Sequence, residues 1–345
     1  ARGWTRFRRA GWGQLAALTV ALIVVMIAMS VGSGLAAAEP VNGCRAVDIP
    51  VRLPGIVEPL RIAGTFCTPG PVTGRTVQVL VPGYTYSRAY WDFPYRSERY
   101  SYVSAAVRAG YATLNIDRLG TGESSHPAPP VLRIDNQILA LHQVVSALRR
   151  GEFADTAHSR VITIGHSLGS AMVSAEAARF GDVDAVVLTG FAHAVGPGTP
   201  QFFATALYPA QLEPRFTDRP TGYLTTLPGM RAADFYAPGT ADPAVIATDE
   251  RLKETTVGAV EAAGIGLAQA ESTLALRVPV LVIVGELDTI VCGQAACRAA
   301  ERLFYRPDVH TTIIGVPGTG HDLNTSRSAP SSFRAILGWC SEWAR

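Results

Sequence analysis

The ten residues 161–170 constrain the fold more than any other stretch of this chain. A β-branched run at 161–164 is typical of a buried strand, and the residues from 171 onward favour a helix. Between them stands Gly-His-Ser-Leu-Gly at 165–169. A serine on such a sharp strand-to-helix turn stands clear of the sheet, and the flanking glycines allow close approach. The segment therefore predicts a nucleophilic Ser167, with the N–H of Leu168 placed to stabilise an oxyanion.

Two further polar residues follow predicted strands and are candidates to activate this serine. Asp288 comes just after the apolar run 282–284, and His321 follows the last predicted strand in Gly-Thr-Gly-His-Asp. In a doubly wound sheet, catalytic groups collect beyond the carboxyl ends of the strands. A serine hydroxyl needs a base to take its proton, and the base needs an acid to orient it. The chain order Ser167, Asp288, His321 therefore predicts a nucleophile, an acid and a base.

Other acidic residues fit these roles less well by position. Glu286 lies two residues before Asp288 and would need a different loop path to reach the base. Asp117 also ends a predicted strand, but the tight turn after it indicates a structural capping role. We therefore favour Asp288 as the acid.

An aromatic loop follows the strand predicted at 76–81. The sequence Pro-Gly-Tyr at 82–84 places the N–H of Tyr84 where a second oxyanion donor is expected, and the glycine permits the bend. The aromatic side chains of this loop, with those of residues 191–275, indicate a hydrophobic substrate pocket. Our candidate pocket residues are Tyr86, Trp91, Phe191 and His193.

Strand and helix patterns alternate along the chain, which is typical of an α/β fold with a mostly parallel sheet and helices on both faces. The predicted strands are 45–53, 60–67, 76–81, 111–116, 161–164, 185–189, 278–284 and 310–314, and the main helices are 98–109, 134–149, 294–303 and 329–344. Residues 191–275 interrupt this alternation and are too numerous for a plain loop. We predict a core at 39–190 and 276–345 and a lid at 191–275, with a helix from Asp242-Pro243 to about residue 255.

The amino-terminal residues differ from the rest of the chain. Residues 1–38 carry four arginines and no acid, followed by an apolar run at 15–35 and Ala-Ala-Ala before Glu39. This pattern predicts a secretory signal peptide cleaved after Ala38; the alternative is an uncleaved membrane anchor. Either way, we expect the body outside the cytoplasm. Beyond residue 38, 26 basic residues face 28 acidic ones, so the charge gives no reason to expect a nucleic-acid partner.

Five motifs taken together resemble those of the α/β-hydrolase superfamily, over about residues 60–345. They are Pro-Gly-Tyr (82–84), Asp-Arg-Leu-Gly-Thr-Gly (117–122), Gly-His-Ser-Leu-Gly (165–169), Gly-Glu-Leu-Asp (285–288) and Gly-His (320–321). The resemblance implies an eight-stranded α/β-hydrolase core with Ser167 as nucleophile, His321 as base and Asp288 as acid. It also implies an oxyanion hole from the N–H groups of Tyr84 and Leu168. Many relatives have His-Gly where this chain has Pro-Gly.

The five cysteines agree with an oxidising compartment. Cys44 and Cys67 stand at the two ends of a predicted hairpin, so we pair them. Of the remaining three, one must stay free. In the implied topology Cys292 lies at the carboxyl edge of the sheet and Cys340 at the opposite edge, so we pair Cys292 with Cys297 and leave Cys340 free. No Cys-x-x-Cys pair occurs, which argues against a zinc site of that kind.

These observations predict a secreted serine hydrolase that cleaves a hydrophobic carboxylic ester through an acyl-enzyme. We expect a small-molecule ester as its partner and no metal or cofactor in the reaction. Two alternatives stay open. An acyltransferase would use the same triad with an alcohol in place of water, and a non-catalytic binding protein could use the same scaffold.

Overall fold

The computed structural model describes residues 43–70, 76–152, 158, 160–258, 260–262 and 272–343. The predicted signal peptide or anchor at 1–38 lies outside these residues. Within the described ranges, no helix combines the length and the apolar character needed to cross a membrane.

In chain order, the strands of the described residues are β1 Cys44–Val51, β2 Leu60–Cys67, β3 Val77–Val81, β4 Ala112–Ile116, β5 Val161–His166, β6 Ala185–Thr189, β7 Leu207–Pro209, β8 Leu224–Thr226, β9 Val280–Gly285 and β10 Thr311–Val316. All except β7 and β8 form one eight-stranded sheet in the order β1-β2-β4-β3-β5-β6-β9-β10. In this sheet β2 runs antiparallel to both of its neighbours, β1 and β4, and the other five neighbouring pairs are parallel. The separate pair β7–β8 is antiparallel. The predicted eight-stranded, mostly parallel sheet is confirmed.

The core lies around the central strands. Every residue of β3, β4, β5, β6 and β9 is buried, as expected where a parallel sheet is covered on both sides. The edge strand β1 alternates between exposed and buried residues along its second half, and the opposite edge strand, β10, is mostly half-buried. The carboxyl ends of the central strands therefore belong to the buried core.

Within the described residues, the helices include those predicted and two short ones in 191–275 that the sequence analysis does not predict. They are α1 Ser97–Tyr100, α2 Tyr102–Arg108, α3 Ile134–Arg150, α4 Leu168–Phe180, α5 Gly198–Thr205, α6 Met230–Phe235, α7 Pro243–Leu252, α8 Ala295–Glu301 and α9 Ala329–Trp343. The helix predicted at 98–109 is divided into α1 and α2. Ser101 adopts an extended backbone there, and its side chain caps α2 by accepting the N–H of Ser104 at 2.9 Å.

Two disulfide bonds join the pairs expected from the sequence. Cys44 and Cys67 are direct partners in the β1–β2 register, with Cα atoms 4.0 Å apart. Cys292 and Cys297 are joined in the loop after β9, and Cys340 is free and buried.

The segment between β6 and β9 contains α5, the β7–β8 hairpin, α6 and α7. Asp242 stands before α7 with Pro243 as its first residue, as predicted, but the helix ends at Leu252 rather than near 255. The Asp242 carboxylate does not cap the helix and instead pairs with Arg327 at 2.8 Å.

Candidate active site

Ser167 occupies a strained turn between β5 and α4. Its backbone has φ 52° and ψ −117°, a region that residues other than glycine rarely adopt. A Cβ on Gly165 would lie 2.4 Å from the carbonyl group of Gly169, and a Cβ on Gly169 would lie 2.3 Å from the carbonyl oxygen of Val81. Only glycine allows β5, β3 and α4 to approach this closely. The two glycines therefore permit the turn that places Ser167 above the sheet.

Asp288, after β9, holds His321, after β10. Its Oδ2 lies 2.8 Å from His321 Nδ1, and its Oδ1 accepts the N–H groups of Ile290 at 2.8 Å and Val291 at 3.0 Å. An ionised carboxylate only accepts hydrogen bonds, so the proton of the neutral imidazole is assigned to Nδ1. The Nε2 atom of His321 is then left as the basic nitrogen.

The pKa of His321 is set by opposing effects. The side chain is almost fully buried, and burial lowers the pKa. The charge and hydrogen bond of Asp288, with the charge of Asp322, outweigh burial and raise the pKa above its ordinary value. His166, whose ring centroid is 5.0 Å from that of His321, has a pKa held well below its ordinary value by burial and by His321. Of these two histidines, His321 is the one suited to accept a proton.

Ser167 and His321 line one cavity of about 110 Å³. The other residues that line it are mainly apolar, and many of them lie in the segment between β6 and β9 or in the loop after β9. They include Phe191, Val195, Phe202, Phe203, Phe235 and Ile290. No direct hydrogen bond joins the Ser167 and His321 side chains among those of the described residues, and such bonds commonly tighten only when substrate is present.

The loop at 82–84 runs beside the nucleophile turn. A Cβ on Gly83 would lie 3.0 Å from the carbonyl oxygen of His166 and 3.1 Å from the Cβ of Ser167. The buried guanidinium of Arg118 fixes this loop by donating to the carbonyl oxygens of Pro82 at 3.1 Å and Gly83 at 3.0 Å. Arg118 belongs to the motif at 117–122, but the sequence does not indicate that its side chain supports this loop.

Two backbone N–H groups belong to residues that line the cavity. Within the described ranges, no acceptor is found for the N–H of Tyr84 or of Leu168, and both residues line the cavity. The N–H of Leu168 is also at the start of α4, where the helix dipole favours negative charge. An oxyanion hole requires backbone donors of this kind.

A buried charged network lies behind His321, and sequence reasoning missed it. The hydroxyl of Tyr86 contacts the carboxylates of Asp322 and Asp249, and Arg231 donates to both oxygens of Asp249 at 2.9 and 3.0 Å. All four side chains are buried. Burial raises the pKa of Asp322 to about 6, although His321 and Arg231 act in the opposite direction. The four residues are far apart in sequence, so no local pattern connects them.

The candidate pocket residues divide into two groups. Tyr86 and Phe191 line the cavity, whereas Trp91 and His193 do not, so their assignment to the pocket is corrected. Trp91 is fully buried and packs edge-on between Tyr90 and Tyr102.

The His193 ring instead contacts Glu301 and Phe304. Its Nδ1 lies 2.8 Å from Glu301 Oε1, and the ring stacks on Phe304 at 4.0 Å.

The two acidic residues that fit the catalytic role less well, Glu286 and Asp117, have other partners. Glu286 pairs with Arg298 at 3.0 Å. Asp117 accepts two backbone N–H groups, at 2.7 and 2.9 Å, which matches the predicted capping role.

Comparison with known proteins agrees with this fold. A family model described as "Alpha/beta hydrolase family" matches residues 78–331. Similar solved structures include a thermophilic esterase from Thermogutta terrifontis, with 19% identity, 87% of this chain and 100% of that chain covered, and a TM-score of 0.61. A bromoperoxidase from Bacillus anthracis has 18% identity, 86% and 100% coverage, and a TM-score of 0.57. A monoacylglycerol lipase from Paleococcus ferrophilus has 19% identity, 83% and 99% coverage, and a TM-score of 0.52. No curated protein matches the chain. At these identities, the structural likenesses show the fold.

Proposed function

The chain belongs to the alpha/beta hydrolase family, and from this premise we propose that it is a serine hydrolase that cleaves carboxylic esters with short acyl chains. The observation that carries the proposal is the strained Ser167, which shares a cavity with a histidine held by Asp288. An activated serine with an oriented base is the requirement for acyl transfer to the protein.

In the proposed reaction, the Oγ of Ser167 attacks the ester carbonyl while Nε2 of His321 takes its proton. Asp288 stabilises the imidazolium that forms. The N–H groups of Tyr84 and Leu168 stabilise the oxyanion of the tetrahedral intermediate. The intermediate collapses when His321 returns the proton to the leaving alcohol, and water then hydrolyses the acyl-enzyme by the same steps.

The size of the cavity supports the choice of a short acyl chain. Its volume is about 110 Å³, and an apolar cavity of about 150 Å³ holds a molecule the size of benzene. Phe202, Phe203 and Phe235, which form part of its wall, lie in the segment that we predict to be a lid. We therefore propose that residues 191–275 cover the cavity and limit the length of the acyl chain.

We also propose that the body lies outside the cytoplasm, in keeping with its two disulfides. The sequence of residues 1–38 supports either cleavage after Ala38 or retention as an anchor. Amino-terminal sequencing of the mature protein distinguishes them, because cleavage gives a chain that begins at Glu39.

The first test of the proposed activity is labelling with a fluorophosphonate probe, with the labelled residue identified by peptide mass spectrometry. We expect labelling at Ser167 and none in Ser167→Ala. Labelling that persists in Ser167→Ala would contradict the proposal. A folded wild-type sample that takes no label would favour the binding-protein alternative.

The second test is a series of p-nitrophenyl esters of increasing acyl length. We expect kcat/KM to be highest for acyl chains of about two to six carbons, because longer chains exceed the cavity. A maximum at long chains would contradict the proposed substrate class without affecting the serine assignment. Product analysis with an added alcohol separates hydrolysis from transfer to that alcohol.

A further inference from the structure

A second cluster of chemically reactive side chains lies where α3 packs against the carboxyl end of α4. It consists of His142 from α3, Glu176 from α4 and Asp182 just after α4. His142 Nδ1 lies 2.9 Å from Asp182 Oδ2 and 3.4 Å from Glu176 Oε1. One ligand atom from each residue lies within 4.8 Å of the others.

Glu176 distinguishes this cluster from an ordinary surface ion pair. Its side chain is fully buried, yet within the described part of the chain neither carboxylate oxygen has a hydrogen-bond partner. The same holds for His142 Nδ1 and for both carboxylate oxygens of Asp182. His142 Nδ1 and these carboxylate oxygens lie close together, but their orientations do not make hydrogen bonds. A buried carboxylate in such a place is strongly disfavoured unless a cation or a proton compensates it.

We propose that His142, Glu176 and Asp182 bind a divalent transition-metal cation, and that Zn²⁺ fits the site. Metal–ligand distances of about 2.0–2.2 Å place neighbouring ligand atoms roughly 3.3–3.6 Å apart in a tetrahedron and roughly 2.8–3.1 Å apart in an octahedron. Of the two separations from Nδ1, 3.4 Å to Glu176 matches a tetrahedral edge and 2.9 Å to Asp182 matches an octahedral edge, so a small shift of one carboxylate would bring both into a single geometry. An imidazole nitrogen favours Zn²⁺ over Mg²⁺ or Ca²⁺, and two carboxylates balance the charge of the ion.

The surroundings of the cluster suit a bound ion. The side chains of His142 and Asp182 are 26% and 23% exposed, so water can reach the open side and complete the coordination. The His142 ring stacks on Phe180 at 3.7 Å, which fixes the direction of its nitrogen atoms. Arg149 donates to the backbone carbonyl oxygen of Asp182 at 2.9 Å, while its guanidinium also pairs with Asp184 at 2.7 Å. Part of the positive charge of Arg149 is therefore already balanced outside the cluster.

The position of the cluster indicates a structural role for the ion. Glu176 stands nine residues after Ser167, which is about 13 Å along the helix axis. A bound ion would link α3 to the end of the helix that begins beside the nucleophile. It would stabilise the folded protein by mass action and would not take part in ester cleavage.

The test uses the whole protein, freed of metal with EDTA and dialysed against micromolar Zn²⁺. Bound metal is measured by elemental analysis, and Tm is measured with and without Zn²⁺. The variants are Glu176→Gln, which keeps the side-chain shape, and His142→Phe, which keeps the stacking on Phe180. The matched control is His310→Ala, which removes an exposed histidine elsewhere. Circular dichroism and fluorophosphonate labelling check that each variant is folded.

We expect one Zn²⁺ per chain in the wild type and in His310→Ala, with a rise in Tm on adding Zn²⁺. Each of the other two variants should bind at least about 100-fold more weakly, since loss of a supporting residue alone weakens metal sites by roughly 10–100-fold. Equal binding by wild type and Glu176→Gln would overturn the proposal. Failure of the metal-free wild type to bind Zn²⁺ would also overturn it and would mean that the two carboxyl groups share a proton.

Discussion

The buried Arg231 offers the sharpest test of how the segment between β6 and β9 is held in place. Its side chain is fully buried, donates to both carboxylate oxygens of Asp249, and donates to Thr85 Oγ1 at 3.0 Å. Its guanidinium also lies 4.2 Å from the centre of the Tyr86 ring. Arg231 therefore connects α6 and α7 to the loop after β3. We consider the substitution Arg231→Met, which keeps an unbranched apolar chain and removes the charge.

The expected cost follows from the charges left behind. Removing one partner of a buried ion pair costs roughly 3–5 kcal/mol, because the other charge stays buried without compensation. Here the charge of Arg231 lowers the pKa of both Asp249 and Asp322, although burial keeps each pKa above its ordinary value. We therefore expect Arg231→Met to lower the free energy of unfolding by roughly 3–5 kcal/mol near pH 8. That is a large part of the total of about 5–15 kcal/mol typical of natural proteins.

The assay is urea unfolding followed by circular dichroism. The double variant Arg231→Met/Asp249→Asn should recover part of the loss, because the stranded charge is removed with its partner. Arg306→Met is the matched control, since the Arg306–Asp308 pair is on the surface and its loss should change stability little. A loss of less than about 1 kcal/mol in Arg231→Met would refute the reasoning, since a buried pair should cost more.

Four further predictions each concern a single position. Asp288→Asn should lower kcat for an ester on the order of 10⁴-fold, because the amide no longer holds the required imidazole tautomer; steady-state kinetics that show less than about a tenfold loss would contradict this role. Gly169→Ala should destabilise the protein by about 1–3 kcal/mol or more, because its Cβ would meet a carbonyl oxygen at 2.3 Å. Gly338→Ala, which has open space at its Cβ, should stabilise α9 by roughly 0.5–1 kcal/mol, and urea unfolding compares the two. The pKa of Asp322 is raised from 3.8 to about 6, so the stability that this group adds is present below about pH 4 and is lost as pH rises through about 6. Asp322→Asn should therefore flatten the pH dependence of the unfolding free energy between those values, and an unchanged slope would count against a buried, titrating Asp322.

The features that the sequence predicts well are those encoded by neighbouring residues. The turn at Ser167 depends on two glycines within two residues of it, and the buried strands are mostly apolar. Side-chain direction is different, because it depends on what packs from elsewhere in the fold. Trp91 and His193 are of residue types common in pockets, yet Trp91 packs against Tyr102 and His193 contacts Glu301.

Buried charge shows why part of the site could not be predicted. Arg231 and Asp249 are 18 residues apart, and Tyr86 and Asp322 are 236 residues apart, so only the folded chain brings them together. A buried ion pair adds little net stability compared with apolar packing, but its geometry can fix one arrangement over others. Here the arrangement bears on the proposed chemistry in two ways. Arg231 contacts Thr85, the residue after Tyr84. Phe235 lines the cavity and belongs to the same helix as Arg231. The apolar wall and one proposed oxyanion donor are thus positioned by the same contact. If Arg231→Met both lowers the free energy of unfolding and slows fluorophosphonate labelling of Ser167, the network contributes to stability and to the reactivity of Ser167. If labelling is unchanged in the folded fraction, the network only stabilises the segment between β6 and β9.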